Sequence, residues 1–233
     1  MNYLYVTGIL PFSRCTMNRF RIVAFLALCV LVVGCWSTKH IKGSGNVVSE
    51  NRPVSEFDSI ALNGSGQLEV DQNGSESLTI TADDNLLQLL TSEVKGGQLV
   101  LAVKSGYSLG PSKPIVFKVS AKNLKGVAFA GDTTANLKGI HTDELKLEVA
   151  GSGDISAEGM TDRQEIRIAG SGKYLGGGLK SKEAKIDIEG SGEAVMTVSD
   201  SLNVSIAGSG NIKYYGDPKI KQNIVGSGSV TKE

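Results

Sequence analysis

The segments KLEVAGSGDI (residues 146–155), EIRIAGSGKY (165–174), KIDIEGSGEA (185–194), NVSIAGSGNI (203–212) and KQNIVGSGSV (221–230) lie over one another without a gap. Gly-Ser-Gly stands at the same place in each. The tripeptide also occurs at 43–45 and 64–66, and a degenerate Gly131-Asp132-Thr133 falls in the one wide interval. From Gly131 onward the leading glycines sit at 131, 151, 170, 190, 208 and 226. A period this short marks a repeat architecture, because one such unit cannot bury its own apolar face.

What flanks the glycines decides which way the chain faces. Two residues before them stand Ile41, Leu62, Phe129, Val149, Ile168, Ile188, Ile206 and Ile224. Four before them stand Ile60, Val127, Leu147, Ile166, Ile186 and Val204, until Gln222 breaks the rule. Apolar residues two apart make a strand with one buried face. Four residues after each glycine come Val47, Leu68, Ala135, Ile155, Tyr174, Ala194, Ile212 and Val230, so a second strand follows every corner. The pattern predicts an all-β parallel β-solenoid of near eight units, each rung about 4.8 Å from the next. Glycine suits the corner because it reaches φ > 0 without a Cβ clash, and the serine is expected to hydrogen-bond corner backbone. A flexible linker would lack the flanking alternation. A phosphate loop would need a helix after its glycines, where another strand follows here.

The N-terminal residues read as an export signal. An apolar run over residues 22–33 follows Arg19 and Arg21, too short to span a membrane as a mature helix. Leu31-Val32-Val33-Gly34-Cys35 resembles the bacterial lipobox, which makes Cys35 the lipidated first residue of the mature chain; Cys29 fits that pattern poorly. Residues 1–34 are thus the signal peptide, with Met17 starting a leader of normal length, and residues 35–56 are the anchor and tether. Trp36 at the following position, in place of the aspartate associated in some bacteria with inner-membrane retention, points to the outer membrane. All three cysteines, Cys15, Cys29 and Cys35, lie in this region, so the rest of the chain has no thiol for a disulfide or a nucleophile. The 24 basic and 24 acidic residues balance. Loss of Arg14, Arg19 and Arg21 with the leader leaves 21 against 24, a net charge of −3 that does not fit a nucleic-acid surface.

Residues 36–42 read as tether into a first corner at Gly43, residues 51–56 as a loop, and residues 59–70 as one complete unit. The period then lapses, and residues 71–125 form a non-repeating insert. In it, Asp83 and Asp84 before Leu86, Leu87, Leu89 and Leu90 predict a capped helix of two or three turns. Residues 95–97 make a turn, 98–104 a strand, 107–114 a loop with two prolines, and 115–120 another strand. The insert is expected to cap or flank the solenoid.

Phe57-Asp58-Ser59-Ile60, Asp84-Asn85-Leu86-Leu87, Leu99-Val100-Leu101, Lys113-Pro114-Ile115 and corners followed by Asp154-Ile155 or Asn211-Ile212 together resemble the bacterial auto-transporter adhesin head GIN domain family. The likeness covers residues 57–230, and residues 57–233 are assigned to that domain. It implies a lipid-anchored or secreted protein with a right-handed β-helix akin to pectin lyases, and a role in adhesion. It brings no catalytic residues.

The sequence offers little for chemistry. His40 and His141 have no second His or Cys at metal-ligand spacing. Asp83 and Asp84 read as a helix cap rather than a calcium site. The residue after each corner runs Asp154, Lys173, Glu193, Asn211, Ser229, which does not repeat a ligand as calcium-binding β-rolls do. Outward residues Glu148, Arg167, Asp187, Ser205 and Asn223 alternate in sign and polarity, as a stabilising ladder would and a clustered catalytic stripe would not. No catalytic residue, metal or cofactor is expected. Tyr214 and Tyr215 are the candidate ligand contacts, able to stack on sugar rings, while Tyr174 falls on the inward series. The reading is a lipid-anchored, non-enzymatic envelope module for a glycan or protein ligand. Two rivals share the fold: a carbohydrate-active enzyme, and a structural protein whose last rung pairs with another subunit. Gln222 and the charged residues 231–233 blunt that last edge.

Overall fold

The computed structural model describes residues 38–233. Four long strands, Thr133–Gly151, Asp154–Gly170, Lys173–Gly190 and Glu193–Gly208, wind around the core and pair in parallel with the next turn. The result is a parallel β-solenoid of about five turns. Register aligns Ile166 with Ile186 and Val204, Ile168 with Ile188 and Ile206, and Ile155 with Tyr174, Ala194 and Ile212. All of these are buried. The aliphatics spaced two apart in sequence therefore form continuous columns inside the coil.

The corners stack as directly. Gly151, Gly170, Gly190, Gly208 and Gly226 are in register one above another, each with φ between +124° and +132°. A Cβ on Gly190 would lie 2.4 Å from the Gly170 carbonyl oxygen, and that oxygen accepts the Ser191 N–H at 2.9 Å. The second glycine is excluded from change for another reason: a Cβ on Gly210 would lie 2.8 Å from an Ile188 methyl and 3.0 Å from the Gly192 oxygen. The serine side chains at 152, 171, 191, 209 and 227 are exposed. Corner backbone is bonded by main-chain amides of the next turn instead, Ser171 N–H to Gly151 O at 3.0 Å and Lys173 N–H to Gly153 O at 3.2 Å among them. The parallel ladder thus continues through the bend and leaves the hydroxyl nothing to do there.

The insert departs from expectation in an informative way. Its strands Gln98–Val103 and Val116–Ala121 pair in parallel with Ser59–Asn63 and Gly66–Gln72 on the side away from the later turns. The first unit is therefore sandwiched, and the face before the corners is eight strands deep although only about five turns are complete. Leu90–Lys95 and Ser77–Asp83 then close this end as antiparallel neighbours. The expected helix is a single turn, Asp84–Leu87. Leu90 already faces Val103 in a hairpin whose turn, Gly96-Gly97, has φ of +57° and +80° at both residues, the conformation of a primed two-residue turn.

The segment read as a tether is also structured. Lys39–Lys42 pairs in parallel with Tyr107–Gly110, within the stretch read as a proline-bearing loop, and Val47–Arg52 pairs antiparallel with Ser77–Asp83. Gly43-Ser44-Gly45 is no solenoid corner. It closes over Asp83, whose buried carboxylate accepts the N–H groups of Gly45 (2.7 Å) and Ser112 (2.9 Å) and the Ser112 hydroxyl (2.6 Å). Those donors, the Ser112 hydroxyl first, hold the carboxyl below the usual carboxylate range. The acid ties three segments together rather than capping the helix with its side chain.

A candidate binding groove along the solenoid

Each turn contains a second, irregular bend between its corners. Register slips at Leu137/Ile140, Ser156/Glu158 and Gly176/Lys180. At one of these bends a Cβ on Gly159, φ +134°, would lie 2.2 Å from the Ile140 oxygen. After the bend, three consecutive residues per turn point out, in and out. The outer column is His141, Met160, Lys180, Thr197 and Tyr215, in continuous register. The recessed column is Thr142, Thr161, Ser181 and Val198. The other wall holds Asp143, Asp162, Lys182 and Asp217. Between the walls runs a groove of about 970 Å³, reaching from Asn123 and Lys125 to Asp217. At about 4.8 Å per rung, it crosses the strands for about 24 Å.

The floor hydroxyls serve the bend: Thr161 donates to the Arg163 carbonyl at 3.0 Å and Ser181 to that of Thr197 at 3.2 Å. The charged walls are largely matched. Lys182 lies 2.8 Å from Asp162, Lys125 lies 2.8 Å from Asp58, and Lys232 pairs with Asp217. The carboxylate hydrogen bonds of Asp162 and Asp58 push the ammonium groups of Lys182 and Lys125 above their usual range. Among the described residues, no group of three or more His, Cys, Asp or Glu is placed to hold a metal ion.

Tyr214 and Tyr215 do not form one platform. Neighbours in a strand project to opposite faces: Tyr214 turns inward in register with Met196, while Tyr215 is 44% exposed and follows Thr197 in the outer column, beside Gly216 and Asp217, which line the groove on that rung. Tyr174 is fully buried, and its hydroxyl donates to Gln164 Oε1 at 2.6 Å. Gln164 in turn donates to Ser181 Oγ at 2.7 Å, so a polar thread links the core to the groove floor. The ring passes over Gly176, where a Cβ would lie 2.1 Å from it, which accounts for the first of the glycines at 176–178. Burial drives the Tyr174 phenol's pKa up. His40 lies against Gly110, while His141 lines the groove. Cys35 lies outside the described residues.

The expected charge ladder runs one column over from Glu148, Arg167 and Asp187. Glu165 lies 4.0 Å from Lys146 and 3.0 Å from Lys185, and Arg163 lies 2.6 Å from Glu183. The Lys185 ammonium holds the Glu165 carboxyl below its ordinary range. These are exposed pairs between turns, screened by solvent and weak one by one.

The groove column escaped the sequence pattern because its distance from the preceding corner varies: Met160 comes nine residues after Gly151, Lys180 ten after Gly170, and Tyr215 seven after Gly208. The irregular bend absorbs the difference. Counted back from the following corner the column is regular, ten residues for His141, Met160 and Lys180 and eleven for Thr197 and Tyr215. Reading backward from each glycine would have found it.

Residues 56–218 match the family model described as "Putative auto-transporter adhesin, head GIN domain". No curated protein matches the chain. Among solved structures, one described as a putative lipid binding protein from Parabacteroides distasonis is 29% identical, with a TM-score of 0.57 over 84% of this chain and 100% of that one. A putative adhesin from Bacteroides fragilis is 23% identical, with a TM-score of 0.69 over 83% and 100%. A putative adhesin from Parabacteroides merdae is 21% identical, with a TM-score of 0.53 over 84% and 100%. The last two likenesses concern the fold. The family and these neighbours are described as adhesins or binding proteins, none as an enzyme.

Proposed function

The chain belongs to the auto-transporter adhesin head GIN domain family, and from that membership we propose that it is a non-catalytic binding or adhesion module of the cell envelope. Lipid on Cys35 holds it to the outer membrane, and a glycan or protein ligand lies in the axial groove, with Tyr215 at one end. The observation that carries this reading is the groove itself, a concave path across five turns with largely exposed walls over a recessed floor of Thr142, Thr161, Ser181 and Val198. Tyr214 is packed inward, so in this reading Tyr215 makes the aromatic contact. The family's adhesin description supports an envelope or surface setting.

Two measurements test it. Polysaccharide incubated with the purified protein is expected to keep its chain length while some of it is retained; shortened or unsaturated products would make the groove an active site instead. Cys35→Ser is expected to move the protein from the membrane to the soluble fraction on cell fractionation, and continued membrane association would refute the lipid anchor.

A further inference from the structure

We propose that the groove takes a linear, uncharged glycan lying along the solenoid axis, an assignment that rests on the groove being the ligand-contacting face. Charge argues first. Three lysines and three aspartates line it, Lys125, Lys180, Lys182, Asp143, Asp162 and Asp217, and Lys125 and Lys182 already sit 2.8 Å from carboxylates. Asp162 and Asp217 are likewise paired with lysines, so a charged polymer of either sign would meet like charges on the walls with two of the three opposite ones already engaged. Only a neutral polymer crosses all five turns without uncompensated charge.

Backbone geometry argues next. An extended peptide is normally held by pairing its main chain with a strand edge, but here the strands run across the groove and their N–H and C=O groups are committed to the neighbouring turns. A peptide laid along the axis would leave its own amides to side chains alone. A glycan has no such requirement: its hydroxyls pair with separate polar side chains, and its C–H faces lie against apolar ones. The outer column supplies both. Met160 is 56% and Tyr215 44% exposed, three rungs and about 14 Å apart, with Lys180 and Thr197 between them. An acyl chain would strip water from those charged walls and offer them no hydrogen bond in return.

The test is calorimetric titration of the detergent-solubilised full chain with neutral linear oligosaccharides of increasing length (cello-, xylo- and laminari- series), with oligogalacturonate, and with an uncharged extended peptide. A neutral series is expected to bind, tightening with length until the groove is filled, and oligogalacturonate to bind about tenfold or more weakly. Met160→Asp and Tyr215→Ala are each expected to weaken binding about tenfold, while Lys118→Ala, on another face, leaves it unchanged. Met160 in the groove and Tyr215 at its rim are both exposed, so unaltered melting of the variants separates lost contact from lost fold. Tighter binding of oligogalacturonate or peptide that Met160→Asp abolishes would overturn the neutral-glycan assignment and leave the groove as the binding face. Neutral binding indifferent to both groove substitutions would overturn the groove reading itself, and absence of binding by every series would overturn the glycan assignment.

Discussion

Gly190→Ala is expected to lower the melting temperature by roughly 6–12 °C, the equivalent of about 3 kcal/mol in a domain of this size. Two costs combine. At φ +126° an L-residue is strained by about 1–3 kcal/mol, and the new methyl would lie 2.4 Å from the Gly170 oxygen. That oxygen accepts the Ser191 amide, so moving it away also weakens a rung. The neighbouring Ser191→Ala removes only an exposed hydroxyl and should stay within about 0.5 kcal/mol of wild type. Equal effects from the two substitutions would mean that the corners are not held as described. Thermal denaturation followed by circular dichroism decides.

Ile186→Asp is expected to do more. The side chain is fully buried between Ile166 and Val204 in adjacent turns, with no cation in that column to meet a carboxylate. Placing a charge there should cost more than about 4 kcal/mol. Because a solenoid is stabilised mainly by contacts between neighbouring turns, the loss falls on two interfaces at once, and the turns on either side should unfold with it. Native-like melting of this variant at neutral pH would show that residue 186 points outward. Asp187, one residue on and partly exposed, is the built-in contrast, since it already carries a charge that Lys185 meets at 3.0 Å.

The two residues also show why this fold is legible in its sequence. Parallel stacking makes each inward position of one turn the neighbour of the same position in the next, so Ile168, Ile188 and Ile206 announce a spatial column by a spacing in the chain. The end around residues 71–125 obeys no such rule. Its strand Gln98–Val103 joins the stack on the far side of an earlier strand, which a period cannot reveal, and its antiparallel cap depends on a hairpin that competes with a leucine pattern of helical spacing. Asp83 shows the same limit, since what fixes its role is Ser112, 29 residues away. Local propensity spoke for a capped helix, and a long-range set of donors won.

The candidate site was only partly legible. Tyr215 was visible as an aromatic, but strand alternation separates it from Tyr214, and its true companions, Met160 and Lys180, stand at uneven distances from the glycines before them. Side chains that face solvent are free of the packing constraint that makes the inward columns repeat. A binding surface built from them need not be periodic, even on a periodic scaffold.

The most direct test of the stacked corners is a pair of cysteines placed in them, in a background without other cysteines. Ser171→Cys with Ser191→Cys puts two thiols on adjacent rungs about 4.8 Å apart, within the Cα separation a disulfide spans, and mild oxidation should join them in the folded protein. Ser171→Cys with Ser209→Cys spans two rungs, about 9.6 Å, and should remain reduced. Equal cross-linking of the two pairs, or none in the adjacent one, would contradict the stack.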